Sequence, residues 1–234
     1  MQNDTIYVNL YVSSEGNLTQ SGRSIFIRPE IDCPWKGEIR FSTEGFLPDI
    51  HLALRIPGWC NFWELLDYTG RERSDFYYKH GYLYLSPSPS DSFLLHPDIK
   101  PCCVKANCLV KADAGKAALM RGLIVYCMEE LDNRPQLYDI LVSPDDEFKE
   151  YHSSDFPQSE LPVLSPQGTV LYENAVFPEA EKARREVSAP DQVLYERYYP
   201  EETQAVCARF VPYFLWGNRN GKTPREMQVW FHVM

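Results

Sequence analysis

The chain has 234 residues, 44% hydrophobic and 14% aromatic, which is too apolar for a disordered chain and long enough for one large domain or two small ones. Its formal net charge is -10, and the densest basic group, Lys182, Arg184 and Arg185, is interleaved with Glu179, Glu181 and Glu186, so neither nucleic acid nor an anionic membrane surface is an expected partner. No apolar run approaches the roughly 18 residues of a membrane span, and the N-terminus lacks the basic and apolar blocks of an export signal.

Alternation dominates the first half of the chain. Ile6, Val8, Leu10 and Val12 fall at every second position and predict one strand with a single buried face. Residues 38–42 repeat the pattern, and so do residues 51–56, where Leu52, Leu54 and Ile56 point inward and His51 and Arg55 outward. Tyr82–Leu85 follows suit, and turn signals at Pro34 to Gly37, Pro57-Gly58 and His80-Gly81 separate the runs. Short strands divided by turns predict an all-β chain built of sandwiches or barrels.

Two prolines in Ser86-Pro87-Ser88-Pro89-Ser90-Asp91 remove ladder donors and mark a break in composition. A first domain is therefore expected over residues 1–94 and a second over 95–222. In the second, residues 104–110 and 117–128 read as the first strands, followed by a polar stretch over 132–160. Thr169–Glu173 returns to strand chemistry, residues 179–187 predict a short helix, and residues 205–215 read as a strand. Residues 227–233 alternate once more, so a strand closes the chain.

Seven cysteines, an odd and irregular set, point to reduced thiols in a cytoplasmic setting rather than a disulfide scaffold, and make the sequon at Asn17 incidental. Cys102-Cys103 with Cys108 is the tempting metal site. Neighbours on a strand face opposite ways, however, and no His or Glu stands at ligand spacing, so inert thiols are expected. Glu129-Glu130 and Asp145-Asp146-Glu147 are adjacent pairs that a strand or loop splays apart, so they read as solvated surface rather than as a glycosidase acid and base facing across a bond. The five histidines lack helical pairing, and residues 217–222 lack the spacing of a phosphate loop. Aromatics carry the one binding hypothesis: Trp63, Trp59 and Trp35 are the candidates for stacking on a sugar ring, set against a packing role in the core.

Four segments carry a family likeness: Leu54-Arg55-Ile56-Pro57-Gly58-Trp59, Arg121-Gly122-Leu123-Ile124-Val125-Tyr126-Cys127-Met128-Glu129-Glu130, residues 211–219 and residues 225–230. Together they resemble the C-terminal β-sandwich region of glycoside hydrolase family 127, the β-L-arabinofuranosidase-like proteins. The resemblance implies two consecutive jelly-roll-like β-sandwich domains, with the last strand, residues 223–234, returning to complete the first. It implies that the family's catalytic (α/α)6 barrel, with its cysteine nucleophile and zinc, precedes the matched region, so this chain is expected to hold no catalytic, cofactor or metal residue. Residues 60–80 depart from the pattern and residues 145–166 look like an insertion. The expected role is a noncatalytic accessory region docking on a barrel. The alternatives are an independent module for arabinose-containing or other glycans, or a scaffold that forms a homodimer.

Overall fold

The computed structural model describes residues 4–20, 22–133, 137–157, 159–166, 169–173, 202–219 and 226–234. Among them the protein is all-β, its only helical pieces being single 3-10 turns. It divides into two units, residues 1–100 with 121–123, and residues 101–120 with 124–234. The helix expected over residues 179–187 lies outside the described residues.

The first unit holds β1 (Thr5–Val8), β2 (Gly16–Gln20), β3 (Arg23–Asp32), β4 (Glu38–Glu44), β5 (His51–Arg55), β6 (Trp63–Asp67), β7 (Phe76–Lys79), β8 (Tyr82–Leu85) and β9 (Ser90–Pro97). They form two sheets, ordered β1-β5-β8-β7 and β2-β3-β4-β9-β6. The alternation read from the sequence explains why the sheets close on each other. Leu52, Leu54, Leu83 and Leu85 from one sheet meet Ile25, Ile39, Phe41, Phe93 and Leu95 from the other in one buried cluster. Strand β1 is shorter than its alternation predicts. Its partner β5 runs out at Arg55, just before Pro57, so the chain past Val8 has no ladder to join. Leu10 and Val12 are consequently 74% and 64% exposed, and Tyr11 packs on the core instead, its hydroxyl donating to the Arg55 carbonyl at 2.6 Å.

The second unit holds β10 (Pro101–Val104), β11 (Lys116–Arg121), β12 (Ile124–Glu129), β13 (Ile140–Val142), β14 (Phe148–Tyr151), β15 (Val163–Pro166), β16 (Thr169–Glu173), β17 (Glu202–Val206), β18 (Phe210–Pro212), β19 (Met227–Gln228) and β20 (Trp230–Val233). These described strands make one sheet ordered β14-β15-β18-β12-β11-β20-β13-β16-β17, with β10 beside β11 and β19 beside β12. Leu119, Tyr126, Ile140, Leu164, Phe210 and Phe231 share one core. Strand β12 is buried on both sides: Tyr126 and Met128 face this core, while Cys127 packs with Phe156, Val163 and Val211.

Several expected strands are cut short for local reasons. Residues 104–110 form no strand beyond Val104, because the Asn107 side chain accepts from the Leu109 amide at 3.0 Å and its carbonyl from Val110 at 2.8 Å, folding the chain into a turn. Residues 117–128 break into β11 and β12 at Gly122, where φ is +57°. Residues 205–215 divide at Cys207 to Arg209, and after Pro212 the chain turns through Tyr213–Leu215. The closing strand differs most from expectation. Strand β20 does not return to the first unit: it pairs antiparallel with β11 and parallel with β13, inside the second sheet.

Candidate functional site

The three tryptophans singled out from the sequence all lie in the first unit and form no ring contact with one another among the described residues. Trp63, on β6, is half-buried against the core, its ring 5.4 Å edge-on from Phe76 and 6.1 Å from Tyr78. Trp59 is half-buried against the same core, and its ring lies 3.7 Å from where a Cβ on Gly122 would stand. Trp35 is 37% exposed, on a turn whose carbonyls at Pro34 and Trp35 accept from Arg121 Nη1 at 3.2 and 3.3 Å.

The sequence reading missed a cluster of four tyrosines on the outer face of the β1-β5-β8-β7 sheet. Tyr77 and Tyr84 stack with ring centroids 4.8 Å apart and planes 3° apart, and Tyr7 stands edge-on to Tyr82 at 5.4 Å and to Tyr84 at 6.3 Å. Hydrogen bonding with Tyr7 pushes the Tyr84 phenol above its ordinary range. Its signal was present in the alternation itself: the leucines that face the core leave Tyr82 and Tyr84 on the other side.

In the second unit Cys102 is exposed and Cys103 half-buried, as neighbours on β10 should be. Cys103 and Cys108 line a cleft of about 620 Å3 with Lys105, Asp113, Pro144 and Val233. Desolvation, and then the neighbouring Cys102, push the Cys103 thiol up to about 11, so it is a poor thiolate ligand. Among the described residues no three His, Cys, Asp or Glu side chains are grouped so that they could hold a metal ion. With the pair split to opposite faces, the cysteines here do not fit the zinc of the resembled barrel.

Glu129 is a correction to the expected solvated surface. Its side chain is fully buried, and its Oε2 pairs with Arg219 Nη2 at 2.7 Å while its Oε1 accepts from the Gly217 amide at 3.0 Å. Asp132, 3% exposed, binds both Arg219 and Arg209, with Arg209 Nη1 at 2.6 Å from Oδ1, and Asp155 Oδ2 forms an ion pair with the same Nη1 at 3.0 Å. Burial works against the Arg219 charge, but Asp132 and then Glu129 hold its pKa above the ordinary value. The signal for this cluster was the unbroken apolar run of residues 124–128: a strand covered on both faces also buries the residue at its C-terminal end. Every carboxylate in it is engaged by a guanidinium, and the cluster clamps the Gly217 turn to the end of β12 instead of facing a bond across a cleft. Asp145 and Glu147 are exposed, as read from the sequence, whereas Asp146 between them is half-buried.

Two family models match the chain: the middle domain of the GH127 β-L-arabinofuranosidases over residues 5–92, and the C-terminal domain of glycoside hydrolase family 127 over residues 101–232. The chain belongs to glycoside hydrolase family 127. Apart from residues 121–123, which belong to the first unit, the two matches fall on either side of the division between the units. A non-reducing end β-L-arabinofuranosidase of Bifidobacterium longum is 26% identical over 213 residues, which is 87% of this chain and 30% of that protein. A GH127 β-L-arabinofuranosidase from Geobacillus stearothermophilus T6 superposes with a TM-score of 0.79 at 28% identity, over 100% of this chain and 34% of that one. A second GH127 β-arabinofuranosidase gives a TM-score of 0.71 at 25% identity, over 100% of this chain and 36% of that one. The family 127 chain thus spans about a third of the length of the relatives it matches.

Proposed function

We propose that this family 127 chain is a noncatalytic accessory region of a β-L-arabinofuranosidase-like glycoside hydrolase, the support on which a catalytic (α/α)6 barrel rests. One observation carries the reading: its matches are to the middle and C-terminal domains, and they account for 30% and 34% of the relatives' lengths, so most of those relatives lies outside what this chain resembles. The buried ion cluster is consistent with it, because its carboxylates hold structure together and leave none poised as acid or base. The natural partner is a barrel in the same polypeptide or a separate one, and arabinose-containing glycans are the substrate class of the assembled enzyme. Seven unbridged thiols favour a reducing compartment such as the cytoplasm.

Purified alone, the chain should leave a chromogenic β-L-arabinofuranoside intact. Mixed with the helical barrel of a family relative, it should co-elute with that barrel in gel filtration. Turnover by the isolated chain that disappears in Cys102→Ala or Cys103→Ala would overturn the reading.

A further inference from the structure

The outer face of the β1-β5-β8-β7 sheet has an order that ring distances alone do not convey. Register places Tyr7 opposite Ala53, Ala53 opposite Tyr84, and Tyr84 opposite Tyr77, so four strands contribute one outward residue each to a single row. Ala53 is 0% exposed although it points away from the core, because the tyrosines on either side roof it over. Its methyl group is small enough for Tyr7 and Tyr84 to meet above it at 6.3 Å. At about 4.8 Å per strand, three spacings make this row roughly 14 Å long, room for two or three sugar rings.

The adjacent row adds charge. Arg55 stands opposite Tyr82, and Tyr82 opposite Lys79. Both cations are exposed and neither is ion-paired among the described residues, in a chain whose net charge is -10. They lie two strands apart, about 10 Å. The Tyr82 hydroxyl between them is turned aside to Asn9 Oδ1, at 2.8 Å.

We propose that this face binds an acidic saccharide. Sugar rings rest along the row from Tyr7 to Tyr77, on the outer face of Tyr77 that its stack with Tyr84 leaves open and on the phenol edges and hydroxyls beyond it, and ring carboxylates reach Arg55 and Lys79 in the row beside it. The chemistry of the face favours this occupant over a second protein. Its outward centre is phenol and one methyl group with no branched aliphatic side chain, so it offers stacking and hydroxyl partners together, as a polyhydroxylated ring requires. Two unpaired cations spaced about 10 Å apart complement carboxylates repeated along a polymer, and they are a local exception on an acidic protein. The inference does not depend on the accessory reading, since it concerns an exposed face of the chain as it stands.

Calorimetry on the whole chain with a galacturonate tetramer and a neutral arabinofuranose tetramer tests it. The acidic probe should bind at least tenfold more tightly than the neutral one at low salt and weaken as salt is raised. Tyr77→Ala, at a side chain already 54% exposed, should reduce binding of the acidic probe at least tenfold. Lys79→Gln with Arg55→Gln should abolish the preference for the acidic probe while leaving the thermal unfolding curve in place. Absence of binding, equal affinity for both probes, or an unaltered Tyr77→Ala variant overturns the proposal. So does Tyr77→Ala leaving the glycan titration unchanged while breaking co-elution with a relative's barrel, which assigns the face to a protein partner.

Discussion

At Gly45 a methyl group would stand 2.2 Å from the Ser24 carbonyl oxygen, on a backbone with φ of +74°. Backbone on both sides of the contact leaves nothing cheap to move. Gly70, at φ +83°, has open space around it. Gly70→Ala should therefore cost about 1 kcal/mol for the left-handed conformation alone, and Gly45→Ala about 2 kcal/mol or more. Urea unfolding of the two variants separates the terms, and equal losses would show that crowding at Gly45 is unimportant. Cys127 supplies a test in pH. Desolvation, and then the neighbouring Glu129, push its thiol from 9.0 to about 12. The folded state disfavours the thiolate and the unfolded chain does not, so this contribution is complete below pH 9.0 and is lost as pH rises toward about 12. Cys127→Ala should start less stable, by the small cavity it leaves, and then decline less steeply above pH 9.0 than the parent protein in urea melts. Parallel declines would sink the assignment.

Among the elements, the clamp between the end of β12 and the Gly217 turn is the one whose loss should be felt most. Glu129, Asp132 and Arg219 have side chains 0%, 3% and 7% exposed. Arg219→Met would leave two carboxylates buried with less than their full complement of positive charge, at a cost of about 3 to 5 kcal/mol. A loss below about 1 kcal/mol by chemical denaturation would mean that water or relaxation replaces the guanidinium. The strands themselves were readable where alternation was bounded by a partner on each side. Residues 38–42 and 82–85 became β4 and β8 with the expected faces buried. Alternation misled where it outran the ladder: Leu10 and Val12 continue the pattern of Ile6, yet β5 has ended and nothing remains to cover them. In residues 104–110 the apolar spacing was right for a strand, but a single Asn side chain closed a turn first.

On the scale of the whole molecule, the motifs around residues 54–59, 121–130 and 211–230 were enough to identify the family, and the two family models fall over the two units. Composition alone could not have reached that conclusion. Three things were beyond reach of a linear reading because they depend on pairing between distant segments. The ion cluster joins residues 88 positions apart in Glu129 and Gly217, and the tyrosine row exists only once four strands are in register. The destination of the closing strand was a third case: its alternation announced a strand, while only pairing reveals which sheet receives it.

That destination has a consequence for biosynthesis. Because β20 sits between β11 and β13 rather than on a rim, a nascent polypeptide halted short of Trp230 would hold two bare ladders, each a template for the wrong neighbour. Translation must run through Val233 before the ladders of β11 and β13 are both filled.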